Sequence, residues 1–448
     1  MKNLSFFNNI NKIYFIGIGG ISMSALACIM KNHGFNISGS DIVKSEITQK
    51  LEKENIKVIY NQQAKNIKKF QPDLVVYSGA IKEENKELKY ARIQNIYCLE
   101  RNKFIKELLS FYKNVISISG THGKSTTTSM ISEIFFNAKL NPTVHIGAES
   151  VNLNSNFLVG KNNFFINEAC EYKKSFLDFK STLGVILNIE EDHPDCYKNL
   201  DEIKIAFNNF ASICNNIVIN SDYENYIINN NKLTFNFKNA LFSVRKIKNL
   251  SNGGYSFIVF KNNVFYEKFI LNIFGKHNIL NALASICVAD FFNIDKNIIK
   301  SSLYNFKGLK RRFEQFDSKK LEGKIYFDYA HHPTEIKKLL EEVKIFNKPV
   351  ICVFQPHTYS RTKKYFDDFL QSFKNTYQTI FYKTYHAREK KIKGGQSKDI
   401  YNKLKKNYNV YYYNSFSKII KHLKKYAKIN CIVLFVGAGD IYNIKQYL

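Results

Sequence analysis

Residues 115–138, VISISGTHGKSTTTSMISEIFFNA, constrain the fold more than any other stretch of the chain. Residues 115–119 form a β-rich run typical of a buried strand, and residues 126–138 have helical character. Between them lies GTHGKS, whose composition is typical of a loop that cradles phosphate oxygens with main-chain N–H groups at the start of a helix. This order predicts an α/β domain that binds a phosphate-bearing ligand.

The loop at 120–125 differs from the usual phosphate-binding loop in its length. The usual loop has glycine six residues before the lysine, and Ile118 stands there in this chain. In such loops the ammonium reaches the β- and γ-phosphates and the next hydroxyl binds magnesium, which gives these parts to Lys124 and Ser125. An ordinary strand-to-helix turn is the alternative.

A second glycine-containing run, IYFIGIGGISMSALACIM, occupies residues 13–30 and carries no charge. Its length suggests a membrane span or an export signal, and it ends near a sequence like a lipoprotein cleavage site. Glycine and serine interrupt its apolar centre at Gly17, Gly19, Gly20, Ser22 and Ser24. A strand, a glycine turn and a helix, followed by a second strand that ends at Asp41, explain the run better.

This pattern predicts a nucleotide-binding βαβ unit, with an acid about twenty residues past the turn. Ser22 stands where the dinucleotide fingerprint has its third glycine, so the residues do not specify NAD.

The basic composition raises another class of function. The 66 Lys and Arg residues outnumber the 38 Asp and Glu residues, for a formal charge of +28, which usually suggests nucleic acid or an acidic membrane as partner. The lysines are spread along the whole chain, however, and neither an Arg-rich arm nor an RNP-type motif accompanies them. The pattern is typical of an AT-rich coding sequence and favours no nucleic-acid partner.

The 8 cysteines occur singly, without a Cys-x-x-Cys pair. Their spacing supports neither a zinc ribbon nor a thioredoxin-type motif. Free thiols of this kind predict a protein of the reducing cytoplasm.

Further segments resemble motifs of the Mur ligase superfamily, to which short G-T-H-G-K-S/T loops also belong. They are NEACEYKKSF (167–176), NIEEDHPDCY (188–197), FGKHNILNALAS (274–285), GLKRRFE (308–314), DYAHHPTE (328–335), FQPHTYSRT (354–362), YHAREK (385–390) and GAGDI near the end. Together with the two loops they cover essentially the whole chain. Within the family, the chain most resembles the members that add L-alanine to UDP-N-acetylmuramate.

The resemblance implies an ATP-dependent ligase of peptidoglycan precursor synthesis. ATP would phosphorylate the lactyl carboxylate of UDP-N-acetylmuramate, and the amine of L-alanine would attack the acyl phosphate. ATP is the implied co-substrate and Mg²⁺ the implied cofactor, in a cytoplasmic monomer or weak homodimer with no membrane span. Two phosphate-bearing substrates need two loops, which explains why one chain carries both.

The resemblance also assigns site residues to the two loops and to the segment near 277. The implied UDP-sugar residues are Gly17, Gly19, Gly20, Ile21, Ser22, Asp41 and Ser78. The implied ATP residues are Gly120, Thr121, His122, Gly123, Lys124, Ser125, Thr126, His277, Asn278, Asn281 and Asp328. Asn278 and His277 would contact the adenine, although asparagine at a helix start is commonly a cap. Asp328 would meet the ribose or hold the domain junction.

The implied catalytic residues are Lys124, Glu168, His193 and Arg312. Ser125, Glu168 and His193 are the implied magnesium ligands, although a histidine is an unusual ligand for this ion. Glu168 could instead be a half-exposed acid at a strand end, and His193 a capping or core residue. Glu171 stays open between a functional residue and a solvated turn residue.

Tyr329, His331 and Arg361 form the implied pocket for the incoming amino acid. Many family members have arginine where this chain has Thr358, so Arg361 alone remains in that loop to pair with the alanine carboxylate. This departure bears on amino-acid recognition and not on the reaction class.

The predicted fold is α/β with three domains. A Rossmann-like UDP-sugar domain spans residues 1–109, and a central ATP-binding domain with a mostly parallel sheet and a β-rich insertion near 232–273 spans 110–308. A smaller doubly wound C-terminal domain, which binds the amino acid, spans 309–448. The active site is expected between domains. The alternatives are a murein tripeptide-recycling ligase, another amino-acid-adding Mur ligase and, more remotely, a nucleic-acid-dependent P-loop NTPase.

Overall fold

The computed structural model of the chain contains three β-sheets in the residues that it describes. It describes residues 6–161, 163–191, 196–251, 253–387, 389–428 and 430–448. The chain divides into two units, Met1–Lys307 and Gly308–Leu448. The first unit contains two of the sheets and the second contains one.

The N-terminal sheet has five parallel strands in the order β3-β2-β1-β4-β5. Its strands are β1 (Lys12–Ile16), β2 (Asn36–Ser40), β3 (Lys57–Ile59), β4 (Leu74–Tyr77) and β5 (Tyr97–Glu100). Its helices are α1 (Ile21–Asn32), α2 (Glu46–Lys53), α3 (Ala64–Phe70), α4 (Lys86–Ile93) and α5 (Arg101–Leu109). Because β1 pairs with both β2 and β4, the strand order reverses at its carboxyl end, where ligands of such sheets bind.

Helix α1 explains the uncharged run at 13–30. All residues from Met23 to Met30 are buried, since α1 packs against its own sheet and also against two strands of the central sheet. A helix buried on nearly all sides needs apolar residues on nearly all sides. In the described part of the chain, no helix is long and apolar enough to cross a membrane.

The central sheet has ten strands in the order β15-β14-β13-β12-β11-β10-β6-β9-β7-β8. Its strands are β6 (Asn114–Ser119), β7 (Thr143–Ser150), β8 (Ser155–Leu158), β9 (Phe164–Glu168), β10 (Ser181–Ile186), β11 (Cys214–Asn220), β12 (Lys232–Asn236), β13 (Phe242–Asn249), β14 (Tyr255–Lys261) and β15 (Val264–Leu271). Its helices are α6 (Lys124–Asn137), α7 (Leu200–Ser212), α8 (His277–Phe291) and α9 (Lys296–Asn305).

The sheet is parallel from β13 to β7 and antiparallel at its two edges. The β-rich stretch predicted as an insertion instead continues the main sheet, since β12 pairs in parallel with β11.

One hydrophobic cluster runs from the N-terminal sheet into the central sheet. Phe104 on α5 lies 5.8 Å from Phe15 of β1, measured between ring centroids. Tyr112 lies 4.8 Å from Phe165 of β9 by the same measure. This shared core explains why the two sheets form one unit.

The C-terminal sheet has the order β16-β17-β21-β18-β19-β20, with only the edge strand β16 antiparallel. Its strands are β16 (Glu314–Phe316), β17 (Lys324–Asp328), β18 (Val350–Phe354), β19 (Gln378–Tyr382), β20 (Val410–Tyr413) and β21 (Ile432–Val436). Its helices are α10 (Pro333–Val343), α11 (Tyr359–Lys364), α12 (Phe366–Ser372), α13 (Ser397–Leu404) and α14 (Phe416–Tyr426). The predicted α/β fold class is confirmed, while the boundaries at 109/110 and 308/309 stay predictions.

Candidate active site

The first glycine loop connects β1 to α1. Gly17 has φ +80°, a conformation that favours glycine, and its N–H donates to the Ser40 carbonyl at 2.8 Å. Gly20 precedes α1 and brings no capping side chain, so the N–H groups of the first helical turn face the loop. A helix start of this kind binds anions through these groups and the helix dipole.

Asp41 fixes this loop from the end of β2. Its Oδ2 accepts the Gly19 N–H at 2.9 Å, and its Oδ1 accepts the Ile42 and Val43 N–H groups at 2.8 and 3.1 Å. A Cβ at Gly19 would lie 2.8 Å from Asp41 Oδ2, so a larger residue there would have to displace this carboxylate. The structure therefore gives Asp41 a role in the shape of the loop.

Ser78 lies on the other side of the first loop, after β4. A Cβ at Gly17 would lie 3.3 Å from the Cβ of Ser78. The structure thus brings Ser78 next to the glycines with which it was predicted to act.

The second glycine loop connects β6 to α6, and α6 begins at Lys124, two residues earlier than predicted. Gly120 and Gly123 have φ +142° and +85°. The loop is bound to the segment after β10, where the Asn188 side chain accepts the His122 N–H at 2.7 Å and donates to the His122 carbonyl at 3.1 Å. Thr121 Oγ1 also accepts the Glu190 N–H at 3.0 Å. These bonds fix the loop without using the N–H groups at the start of α6.

Lys124 is paired with a buried carboxylate. Its Nζ lies 2.9 and 3.2 Å from the two carboxylate oxygens of Glu171, whose side chain is 3% exposed, and it also donates to the carbonyls of Gly120 and Thr121. Burial is the largest single effect and disfavours the ammonium form, but the nearby acidic groups, Glu171 foremost, together outweigh it and raise the pKa of Lys124. The interpretation of Glu171 as a solvated turn residue is wrong.

Glu168 ends β9, the neighbour of β6 in the sheet. It is half-buried, and its Oε1 accepts the Gly147 N–H of β7 at 2.5 Å. Ser125 lies in the first turn of α6. A hydroxyl and a carboxylate are oxygen ligands of the kind that Mg²⁺ prefers.

His193, the third predicted ligand, lies outside the described residues. Among the residues that are described, no group of three or more His, Cys, Asp or Glu could hold a metal ion by itself.

The start of α8 contacts the second loop. Asn281 packs directly against Gly123, since a Cβ at Gly123 would lie 2.5 Å from Asn281 Oδ1. Asn281 Nδ2 donates to Asn278 Oδ1 at 2.9 Å, and Asn278 Nδ2 donates to the Phe274 carbonyl at 2.7 Å. Both asparagines are buried, whereas His277 is exposed. Asn278 and Asn281 thus lie inside the structure beside the phosphate loop and do not cap α8, which begins after Lys276.

In the second unit, Asp328 ends β17 and holds the segment that enters this unit. Its Oδ2 accepts the Phe313 N–H at 2.9 Å and its Oδ1 accepts the Ala330 N–H at 2.8 Å. Burial raises the pKa of Asp328, and the nearby Arg312 acts in the opposite direction. Arg312 is exposed, with its guanidinium carbon 5.4 Å from the centre of the Tyr329 ring.

A cluster of aromatic and basic side chains lies at the carboxyl ends of β17 and β18. The His331 ring lies 5.6 Å from Tyr329 and 5.8 Å from His357, and His357 Nδ1 lies 3.2 Å from Arg361 Nη1. Burial, together with the charges of His331 and Arg361, lowers the pKa of His357 to about 4. A neutral His357 can accept a hydrogen bond from Arg361. Because a neutral partner does not compensate the guanidinium charge, this charge can pair with an anionic ligand.

Thr358 and Arg361 adopt a geometry that the sequence did not show. Arg361 was expected in a loop, but it belongs to the short helix α11. Thr358 has φ +66° and caps this helix, with its Oγ1 accepting the Arg361 N–H at 3.4 Å. Thr358 thus orients the backbone that carries Arg361.

Three family models match successive parts of the chain. The Mur ligase family catalytic domain matches residues 12–113, the Mur ligase middle domain matches 118–289, and the Mur ligase glutamate ligase domain matches 311–439. A UDP-N-acetylmuramate–L-alanine ligase of Clostridium tetani is 43% identical over 98% of both chains. A protein of that name from Acetivibrio thermocellus is 41% identical over 98% of this chain and 96% of its own.

The chain belongs to the Mur ligase family. Among solved structures, the UDP-N-acetylmuramate–alanine ligase of Thermotoga maritima has a TM-score of 0.85 at 28% identity, covering 97% of each chain. A murein peptide ligase of Psychrobacter arcticus has the same fold, with a TM-score of 0.69 at 22% identity.

The predicted site residues of this Mur ligase come together in two groups, one in each unit. The first unit joins each glycine loop to its neighbours, and the second unit joins Tyr329, His331 and Arg361. Sequence reasoning missed Asn188 and His357, although both lie in segments that resemble family motifs, and it missed the buried position of Glu171. A histidine directly before Thr358 and four residues before Arg361 was the available signal for His357.

Proposed function

We propose that this Mur ligase joins L-alanine to the lactyl carboxylate of UDP-N-acetylmuramate with hydrolysis of ATP, in the synthesis of peptidoglycan precursors. The observation that carries the proposal is the pair of glycine loops, each at the start of a helix and each on its own sheet. Two phosphate-bearing substrates can bind to such a chain at once. Full-length relatives with this activity in their names support the choice of substrates.

The second glycine loop binds ATP, through the residues 120–126. Its main-chain N–H groups hold the phosphates, and Lys124 reaches the γ-phosphate once it separates from Glu171. Asn278 and Asn281, which lie beside Gly123, are suited to the adenosine part, with His277 next to them at the start of α8. Asp328 either contacts the ribose of ATP or serves only to hold the segment that contains Phe313.

Ser125 and Glu168 would hold Mg²⁺, and His193 is the proposed ligand of a second ion. The ion supplies charge neutralisation on the phosphate oxygens. Glu168 is already oriented by the Gly147 N–H, which donates to its Oε1.

The first glycine loop binds the UDP-sugar through its diphosphate. Gly17, Gly19 and Gly20 bring the backbone close to the phosphates, and Ile21 and Ser22 begin the helix whose N-terminus faces them. Asp41 shapes this loop, and Ser78 lies beside it.

Amide formation in water is uphill, so phosphate is first installed as a leaving group. A carboxylate oxygen of the sugar attacks the γ-phosphorus, ADP leaves, and the amine of alanine then displaces inorganic phosphate. The phosphoryl transition state is loose, so the protein contributes mainly positions and positive charge. Lys124 supplies such charge, and Arg312, which is exposed in the second unit, is the proposed second source.

The cluster of Tyr329, His331, His357 and Arg361 binds L-alanine. Arg361 pairs with the alanine carboxylate, since its neighbour His357 is neutral and does not compete for an anion. The Tyr329 and His331 rings form the wall of this site.

A murein tripeptide ligase and a ligase for another amino acid are the remaining candidates within the family. The full-length identity to alanine ligases favours alanine over both. We also propose that the protein works in the cytoplasm as a monomer or weak homodimer and that it does not use nucleic acid.

ATP hydrolysis by the purified protein tests the proposal. We expect turnover only when UDP-N-acetylmuramate and L-alanine are both present, and none on addition of RNA or DNA. Full turnover with either substrate missing contradicts ordered ligation, and stimulation by polynucleotide contradicts the whole proposal. Replacing L-alanine by the tripeptide or by other amino acids separates the candidates within the family.

A further inference from the structure

The start of α1 is fixed by side chains of the central sheet. His145 of β7 is 5% exposed, and its Nε2 lies 2.9 Å from Ser22 Oγ. Ser22 is the second residue of α1. Asn156 of β8 donates to the carbonyl of Ile21 at 2.6 Å. The proposed diphosphate site therefore has a second layer, which the central sheet provides.

The protonation of His145 determines what Ser22 can do. Burial, with a smaller effect from Arg101, lowers the pKa of His145 to about 4, so that its ring is neutral near pH 7 and carries one N–H. Nδ1 is buried and has no hydrogen-bond partner among the described residues. Buried N–H groups without an acceptor are rarer than buried acceptors without a donor, which assigns the ring proton to Nε2. Nε2–H then donates to Ser22 Oγ.

A hydroxyl that accepts a hydrogen bond from His145 keeps its own proton for another acceptor. At the second position of α1, this proton adds one donor to the N–H groups of the first helical turn. A buried imidazole also holds the hydroxyl in one orientation, which reduces the entropy lost when a ligand oxygen binds.

We propose that His145 is a positioning residue for the UDP-sugar, because it orients the Ser22 hydroxyl to donate to the diphosphate. This inference rests on the proposed function, since it takes the UDP-sugar as the ligand of the first loop.

Isothermal titration calorimetry of the full-length protein tests the inference. The ligand is UDP-N-acetylmuramate, with a non-hydrolysable ATP analogue present in every titration and no alanine. His145→Leu and Ser22→Ala should each weaken binding by about tenfold, the value of one hydrogen bond to a charged group. The double variant should lose about the same tenfold, because both changes act on one hydroxyl donor. His145→Gln keeps an N–H at similar reach and should recover most of the affinity.

A matched control lies at the other end of α1, where His33 Nε2 is 3.1 Å from the Tyr112 hydroxyl. His33→Leu should leave the affinity for UDP-N-acetylmuramate unchanged, and thermal unfolding shows whether each variant is folded. If His145→Leu does not fold, Ser22→Ala and His145→Gln carry the test.

Unchanged affinity in the folded His145→Leu or Ser22→Ala variants overturns the inference. A double variant whose affinity for UDP-N-acetylmuramate falls about a hundredfold also overturns it. The same holds if His33→Leu loses as much affinity as His145→Leu. If the wild-type protein does not bind UDP-N-acetylmuramate at all, the proposed function fails and this inference fails with it. If the wild type binds and only the variants behave otherwise than expected, the proposed function stands.

Discussion

Lys124 and Glu171 form a buried ion pair, with 2.9 Å between Nζ and Oε2. The lysine that should reach the γ-phosphate is therefore held by a carboxylate. If ATP binds here as proposed, its phosphates compete with Glu171 for this ammonium group, and the ion pair then lowers the free energy gained on ATP binding.

Lys124→Met should abolish ATP turnover while UDP-N-acetylmuramate still binds, because the two loops lie on different sheets. The single variant leaves Glu171 buried without its cation, which typically costs about 3–5 kcal/mol of stability. Lys124→Met combined with Glu171→Gln should restore the thermal midpoint but not turnover. A folded double variant that no longer binds the UDP-sugar in calorimetry would refute the assignment of two separate sites.

Glu133 on α6 should make the stability of the first unit depend on pH. Burial raises its pKa from 4.5 to about 8, against the smaller effects of Ser150 and Lys307, and its Oε1 has no hydrogen-bond partner in the described part of the chain. The unfolded chain loses this proton near pH 4.5 and the folded protein only near pH 8, so the stabilising effect of the protonated form is lost as pH rises through this window.

Glu133→Gln should therefore increase the free energy of unfolding at pH 8.5 by on the order of a few kcal/mol relative to wild type, and the thermal midpoint should rise accordingly. At pH 5 the same substitution should change the midpoint little. The exposed Glu84→Gln is the control and should have no effect at either pH. Equal midpoints for Glu133→Gln and wild type at both values would show that Glu133 is solvated.

The sequence identified the two loops because their signal is local. β1 and α1 follow each other within residues 12–32, and β6 leads directly through the short loop into α6. Contacts between residues that are far apart in the sequence leave no such local signal. Glu171 is 47 residues from Lys124, and His145 is 123 residues from Ser22.

The sequence could not show two other features for related reasons. The β-rich stretch at 232–273 has the pattern of strands, but its pairing with β11 depends on which sheet edge is open. Thr358 was recognised only as a departure from the family, because neither its φ of +66° nor its cap on α11 can be read from composition.

Arg361→Ala should raise the alanine requirement by ten- to a hundredfold. A buried charge-assisted hydrogen bond contributes roughly 1.5–3 kcal/mol, and each 1.4 kcal/mol corresponds to about tenfold in affinity. Formation of the acyl phosphate should be nearly unchanged, which trapping with hydroxylamine in the absence of alanine would measure.

Lys363→Ala on the same helix is the matched control, since Lys363 is exposed and should not affect the alanine requirement. If folded Arg361→Ala yields no hydroxamate, Arg361 acts in phosphoryl transfer or domain closure, and the alanine site lies elsewhere.

Oxygen transfer from the sugar carboxylate to phosphate tests the central claim most directly. UDP-N-acetylmuramate labelled with ¹⁸O in its lactyl carboxylate is incubated with ATP, L-alanine and the wild-type protein, and the inorganic phosphate is analysed by mass spectrometry. An acyl phosphate intermediate predicts one ¹⁸O atom in each phosphate, together with one UDP-N-acetylmuramoyl-L-alanine for each ADP. Unlabelled phosphate, or phosphate formed without the alanine adduct, would contradict the account.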